Sequence, residues 1–321
     1  MKKILGIVLT SLACVALIVL GFVLCPPSLS ANQLETLKIL AIVCGSSMLY
    51  CFVVGEISRN NSQMDKLWSI LPIAYVWIIA ARGGMSPRLV VYAIIATLWG
   101  IRLTYNFAKK GAYRLKFWEG EEDYRWAILR ANSVLKNRFL WAMFDLFFIC
   151  IYQNALVLAI CFPALAIMDS ASSFGAWDYV AAVAAIGFLT LETIADIQQM
   201  RFYTEKKRLL AEGKTLEELP APYNKGFNTT GIWGFARHPN YLGEQGVWAA
   251  LYLFTIGAGV NAYGFFNWSI VGPAMLILLF LGSSTFGESI SASKYPEYAR
   301  YASKVCRYVP LWKYREEVVR D

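Results

Sequence analysis

Eight apolar stretches, over roughly 4–25, 37–55, 67–81, 87–107, 139–167, 177–197, 242–260 and 267–284, take up about half of the 321-residue chain. A helix crosses a bilayer core in about 20 residues, with tilt allowing somewhat more or fewer. The pattern therefore predicts an all-α, polytopic integral membrane protein with seven or eight transmembrane helices. Composition agrees. Apolar residues make up 57% and charged residues 16% of the chain, against about 45–50% and about 25% for soluble domains. Too few polar side chains remain to cover a soluble surface. An ordinary cytosolic enzyme, a disordered tail protein and a collagen-like fibre are excluded on that ground.

Charge placement supports the same topology. With Lys2 and Lys3 set in the cytoplasm and the sides alternating, 26 of the 30 basic residues fall in cytoplasmic segments. They lie at the N-terminus, at Arg59 and Lys66, and in blocks over 109–138, 201–237 and 294–320. Lys38, Arg82 and Arg88 fall outside, and Arg102 lies within a span. Such a bias places both termini inside. It also explains the net charge of +8 without a nucleic-acid partner, and no obligate protein partner is implied. A competing reading takes Lys2-Lys3, the first apolar run and Ser28-Leu29-Ser30 as a secretory signal. The run is long for one, and cleavage would leave seven spans in the same orientation. The chain reads as one membrane domain over 1–321, with 1–36 a peripheral first span.

Seven cysteines show no CxxC spacing, and His238 is the single histidine. No metal site is expected, and histidine-box di-iron chemistry is excluded. The inner segments 108–138, 198–236 and 285–321 have room for a polar cofactor.

Ionisable groups within apolar helices each call for a role. The acidic ones are Asp145, Glu192, Asp196, Glu244 and Glu288, and Arg102 is the basic one. Glu192 and Asp196 are four apart on one helical face. A structural ion pair or a ligand donor would each relieve their repulsion. The densest cluster is Gly231-Ile232-Trp233-Gly234-Phe235-Ala236-Arg237-His238-Pro239-Asn240-Tyr241-Leu242-Gly243-Glu244. Pro239 suits a first helical turn, free N–H groups there favour an anion, and Arg237 offers a planar fork for phosphate or carboxylate. The plainer alternative is a capped helix with an interfacial Arg, Trp and Tyr belt. The tail interleaves basic and aromatic residues from Ser293 to Tyr301 and again from Tyr308 to Trp312. That suits either a helix on the membrane surface or a flap over a cofactor.

The string Gly-x-Trp-x-x-x-Arg-His-Pro-Asn-Tyr-x-Gly-Glu over 231–244, followed by a Tyr-rich tail, resembles the membrane steroid 5-alpha-reductase-like family. The resemblance extends to Asp65-x-x-Trp68 with Pro72, Arg102 with Asn106, Glu122-Asp123-x-Arg125 and Ala195-Asp196-x-Gln198, so 55–321 forms a reductase-like core. It implies a membrane oxidoreductase acting on CH–CH bonds, with NADPH held by cytoplasmic loops and tail. Hydride would go to a carbon–carbon double bond conjugated with a carbonyl in a lipophilic substrate, such as a 3-oxo-4-ene steroid or an isoprenoid or lipid enone. Position by position, the resemblance puts Arg102, Glu192, Asp196, Trp233, Arg237, His238, Asn240, Tyr241, Glu244, Lys294 and Tyr298 at the cofactor. Asp65 falls where the family places a carboxyl at the substrate's ketone, with Asp in place of the usual Glu. The family's proton-donating tyrosine falls on Trp99 or Tyr105, depending on a gap. Asp65 and Tyr105 are therefore the catalytic candidates, one of them donating a hydrogen bond to the enolate oxygen.

Two rivals remain. An isoprenylcysteine-type methyltransferase shares Arg-His-Pro-x-Tyr-x-Gly but binds S-adenosylmethionine, and carries an Arg and paired glutamates where this chain has Ser283-Ser284-Thr285-Phe286-Gly287-Glu288-Ser289. A non-catalytic sterol- or lipid-binding protein is the other.

Overall fold

A computed structural model describes residues 2–131, 134–311 and 314. Of the expected tail, Trp312 and the basic residues Lys313, Arg315 and Arg320 lie outside the described residues. The described chain is helical, and among its residues strand pairing is limited to two isolated bridges, Ala236 with Cys306 and Ala262 with Phe266.

The α-helices run in order α1 (Lys2–Leu24), α2 (Ala31–Ser58), α3 (Gln63–Leu67), α4 (Leu71–Arg82), α5 (Pro87–Lys109), α6 (Tyr124–Arg130), α7 (Arg138–Phe144), α8 (Gln153–Ala159), α9 (Phe162–Ile167), α10 (Ala176–Ala211), α11 (Pro239–Tyr252), α12 (Phe254–Gly257), α13 (Val271–Lys294) and α14 (Tyr298–Lys304). Among the described residues, five segments are long and apolar enough to cross a membrane: Ala31–Ser58, Pro87–Lys109, Arg138–Ile167, Ala176–Ala211 and Trp268–Lys294. Leu9–Leu24 and Leu71–Arg82 are shorter apolar helices. This is the architecture of a polytopic helical membrane protein. The 242–260 stretch does not form one long helix, because it breaks between α11 and α12. The Thr255 hydroxyl donates to the Tyr252 carbonyl at 2.7 Å, and Gly259 follows with φ +68°.

Local chemistry sets the helix ends. Ser30 caps α2 in a reciprocal box with Gln33. Asn137 caps α7 and Asp123 caps α6. Prolines sit in the first turns of α4, α5 and α9, where no N–H is missed. Between α7 and α8 the helix widens to a π-turn over Asp145–Tyr152. Phe144, Phe148 and Tyr152 stack along it at centroid spacings of 5.1 and 5.6 Å.

The chain divides into two compact units. Unit 1 comprises Met1–Val183 and Trp248–Leu276, and unit 2 comprises Ala184–Val247 and Ile277–Asp321. In unit 1, α4 and α5 pack closely because Gly100 has no side chain: a Cβ there would lie 2.5 Å from the Ser69 carbonyl oxygen. Trp99 and Trp248 meet edge to face at 5.1 Å, both fully buried. Arg88 is also buried, and its fork is bidentate on Asp178 at 2.7 and 2.9 Å. Its remaining donors go to the carbonyls of Ser172, Ser173 and Gly257. A buried charge is tolerated only when paired and hydrogen-bonded in this way.

Unit 2 is held by small-residue contacts and by a tail cluster. A Cβ on Gly243 would lie 2.5 Å from the Glu192 Cβ, and one on Gly246 would lie 2.2 Å from the Phe188 ring. The start of α11 is thus pressed directly onto α10, as small residues allow in membrane helices. Phe227, Tyr295, Tyr298, Tyr301, Ala302 and Val305 form a separate buried cluster.

Candidate functional site

Within unit 2, the residues of 192–199 and 231–244 converge. Trp233 donates its indole N–H to the Ala195 carbonyl at 2.9 Å, and the Ile232 N–H reaches the Gln198 side chain at 2.9 Å. Asn240 Nδ2 donates to Asp196 Oδ1 at 3.2 Å. Glu192 and Glu244 are buried, and Gly243 rests on the backbone of Glu192. Two buried acceptors in this region, Asn240 Oδ1 and Gln199 Oε1, have no hydrogen-bond partner among the described residues. Buried polar atoms are almost always paired, so these two carry unused acceptor capacity.

Arg237 has a different environment. Its Nε donates to Glu288 Oε1 at 2.7 Å and its Nη2 to Glu288 Oε2 at 3.3 Å. Its Nη1 donates to the carbonyls of Ala302, at 3.0 Å, and of Val305. The fork is directed at a carboxylate and at the end of α14, within the protein. Glu288 also accepts from Arg307 at 3.3 Å and lies 3.0 Å from His238 Nε2. Burial holds the His238 imidazole below its ordinary value of 6.5, against the pull of Glu288. A neutral ring beside a carboxylate carries its proton on Nε2, leaving Nδ1 as an acceptor. The ring stacks on Tyr241 at 5.1 Å and 13°. Tyr241 in turn packs on Phe280 at 4.5 Å.

The tail candidates separate. Lys294 is exposed, with its ammonium 5.5 Å from the centre of the Tyr295 ring. Tyr298 lies in the buried tail cluster. Burial there raises its phenol well above the ordinary range.

Asp65, Arg102 and Tyr105 belong to unit 1. Asp65 Oδ2 accepts the Trp126 indole N–H at 2.8 Å. Burial and the nearby Asp123 carboxylate push its pKa up, while Arg125 works the other way. Lys66 beside it is fully buried, and its ammonium donates to the Phe117 and Glu119 carbonyls, each at 2.8 Å. Burial brings that ammonium down to about 8. Arg102 is half-buried on α5. Tyr105 is 55% exposed, with the Lys109 ammonium over its ring. The tyrosine that reaches the Asp65–Lys66 segment is Tyr113, whose OH donates to the Lys66 carbonyl at 2.8 Å. The paired hydroxyls of Ser69 and Thr104 lie beside it.

The sequence marks Glu288 as an acid in an apolar run and as a lone glutamate where the methyltransferases carry a pair, and gives no sign of Tyr113, Trp126 or Gln199. The others owe their position to contacts across the fold.

Residues 51–305 match the family described as Protein of unknown function (DUF1295), across most of the chain. The chain belongs to the DUF1295 family. A relative in Schizosaccharomyces pombe (strain 972 / ATCC 24843), described as Uncharacterized protein C594.04c, is 32% identical over 283 residues, or 82% of this chain and 78% of its own. No solved structure matches this DUF1295 chain. The shared region includes both the Asp65 segment and the 192–244 cluster.

Proposed function

We propose that this protein is a membrane-embedded, NADPH-dependent reductase of lipophilic enones, of the kind the resemblance to steroid 5-alpha-reductases implies. The observation that carries the reading is the pair of unpartnered buried acceptors, Asn240 Oδ1 and Gln199 Oε1, in a segment pair where Asn240 also holds Asp196 and His238 stacks on Tyr241. Such acceptors suit a carboxamide N–H or ribose hydroxyls, and aromatic faces suit a flat ring. These acceptors therefore fit the sugar and amide portions of a dinucleotide. The Arg237 fork does not serve its phosphates, because Glu288 and α14 occupy it.

A reduced nicotinamide, when bound, supplies the hydride. The chain's own contribution is to hold and protonate. His238 stays neutral and is oriented by Glu288. Asp65, whose pKa is raised by burial and by Asp123, is the group proposed to donate toward a carbonyl oxygen where negative charge develops. Tyr105 remains the second proposed acid, with Tyr113 as the better-connected alternative. The basic inner segments would face the cytoplasm and favour an anionic cofactor.

The test is thermal stabilisation of the purified protein by NADPH, NADH and S-adenosylmethionine, followed by turnover of steroid, prenyl and fatty enones. Stabilisation by NADPH and formation of a saturated product are expected. Stabilisation by S-adenosylmethionine alone would assign a methyltransferase instead. No response to any of the three would favour a non-catalytic lipid binder.

A further inference from the structure

Because Arg237 turns inward, the phosphates of a dinucleotide need another cation in unit 2. We propose that a hollow bounded by Ala221, Pro222, Lys225, Thr229, Thr230 and Tyr314 is a phosphate-ester subsite taking the adenosine phosphate end of a nucleotide. The inference rests on the dinucleotide reading above.

The hollow measures about 430 Å³ and is broadly open to solvent. It adjoins the candidate cluster directly, since Thr230 precedes Gly231 and the Tyr314 N–H donates to the Gly234 carbonyl at 2.7 Å. The Lys225 ammonium lies 5.2 Å from the centre of the Tyr314 ring, so cation and aromatic face share one wall. A phosphate would draw the ammonium off the ring and leave that face to a base. Arg300 and Glu297 are the other charges that act on Lys225.

Asn228 adds an independent observation. It is 4% exposed, and its Oδ1 accepts from the Thr230 N–H at 2.9 Å and hydroxyl at 2.8 Å. That fixes Thr230 as an acceptor for a ribose hydroxyl. The Asn228 Nδ2 is buried without a partner among the described residues, one residue from the lining of the hollow. A phospholipid headgroup offers the same phosphate, and a choline can use the same aromatic wall, so the experiment separates the two sources.

The test uses the full chain in phosphatidylcholine nanodiscs, titrated calorimetrically with 2′,5′-ADP, NADPH and reduced nicotinamide mononucleotide. In Lys225→Gln and Tyr314→Leu, 2′,5′-ADP and NADPH should each bind at least tenfold more weakly, with the mononucleotide unchanged. The Lys225→Gln variant carries the result should Tyr314→Leu disturb the tail. Absent 2′,5′-ADP binding, or binding indifferent to Lys225→Gln, overturns the subsite whatever NADPH does. Lys225-dependent 2′,5′-ADP binding, with no binding of the mononucleotide and no gain for NADPH over 2′,5′-ADP, keeps the subsite and defeats the reductase reading. Adding phosphatidic acid to the nanodiscs should leave 2′,5′-ADP affinity intact. Displacement by it would reassign the hollow to lipid.

Discussion

Arg237 and Glu288, separated by 51 residues in sequence, form a two-point ion pair buried within unit 2. The same guanidinium ties down the Ala302 and Val305 carbonyls. Removing one partner of such a pair costs about 3–5 kcal/mol. Arg237→Ala should therefore lower the unfolding midpoint sharply. Arg237→Lys, which keeps the charge but loses the fork, should fall between it and wild type. Denaturant unfolding in detergent checks the order. An unshifted midpoint for Arg237→Ala would contradict the pairing.

His238 makes stability depend on pH. Its folded pKa is depressed below 6.5, so the folded ring resists a proton that the unfolded ring accepts. The contribution is complete above pH 6.5 and is lost as pH falls below it. The slope cannot exceed about 1.4 kcal/mol per pH unit. As the single histidine, it gives a clean comparison. The midpoint of the wild type should drop between pH 6.5 and 5.5 more steeply than that of His238→Gln.

Asp65→Asn keeps an acceptor for the Trp126 indole but removes the titrating proton. Turnover of an enone should fall at least a hundredfold while NADPH affinity stays within twofold. Full activity would remove Asp65 from the chemistry. Tyr105→Phe and Tyr113→Phe, compared side by side, decide which phenol participates.

Gly243→Ala and Gly246→Ala test the contact between α11 and α10. A new methyl at 243 would meet the Glu192 backbone at 2.8 Å, which cannot swing aside. Overpacking of this kind costs about 1–3 kcal/mol. Gly282→Ala, where nothing lies within 4 Å, serves as the neutral control in a thermal-shift series.

The helical membrane architecture was legible because apolar runs report directly on burial in lipid. Ala31–Ser58 and Pro87–Lys109 lie where hydropathy predicts them. The break near Leu253 was not, since the residues around it, Ala250-Leu251-Tyr252-Leu253-Phe254, are apolar throughout and carry no breaker. At the site, the motif marked the polar stretch that leads into α11. It did not reveal that Arg237 would find Glu288, because a guanidinium reads the same whether its carboxylate is internal or on a ligand. Tyr105 and Tyr113 differ for a similar reason. One projects from a helix surface, while the other folds back from a loop after Gly111, and only the folded chain brings it to Lys66.

The segment after the last long helix is built into the site it follows. The Tyr301 hydroxyl donates to the Trp233 carbonyl, and the Arg237 and His238 amides are held by the Cys306 and Arg307 carbonyls. Clipping the protein at residue 297 would thus remove the clasp from the 233–238 loop. A protease that cuts there should inactivate the protein without touching a single membrane helix.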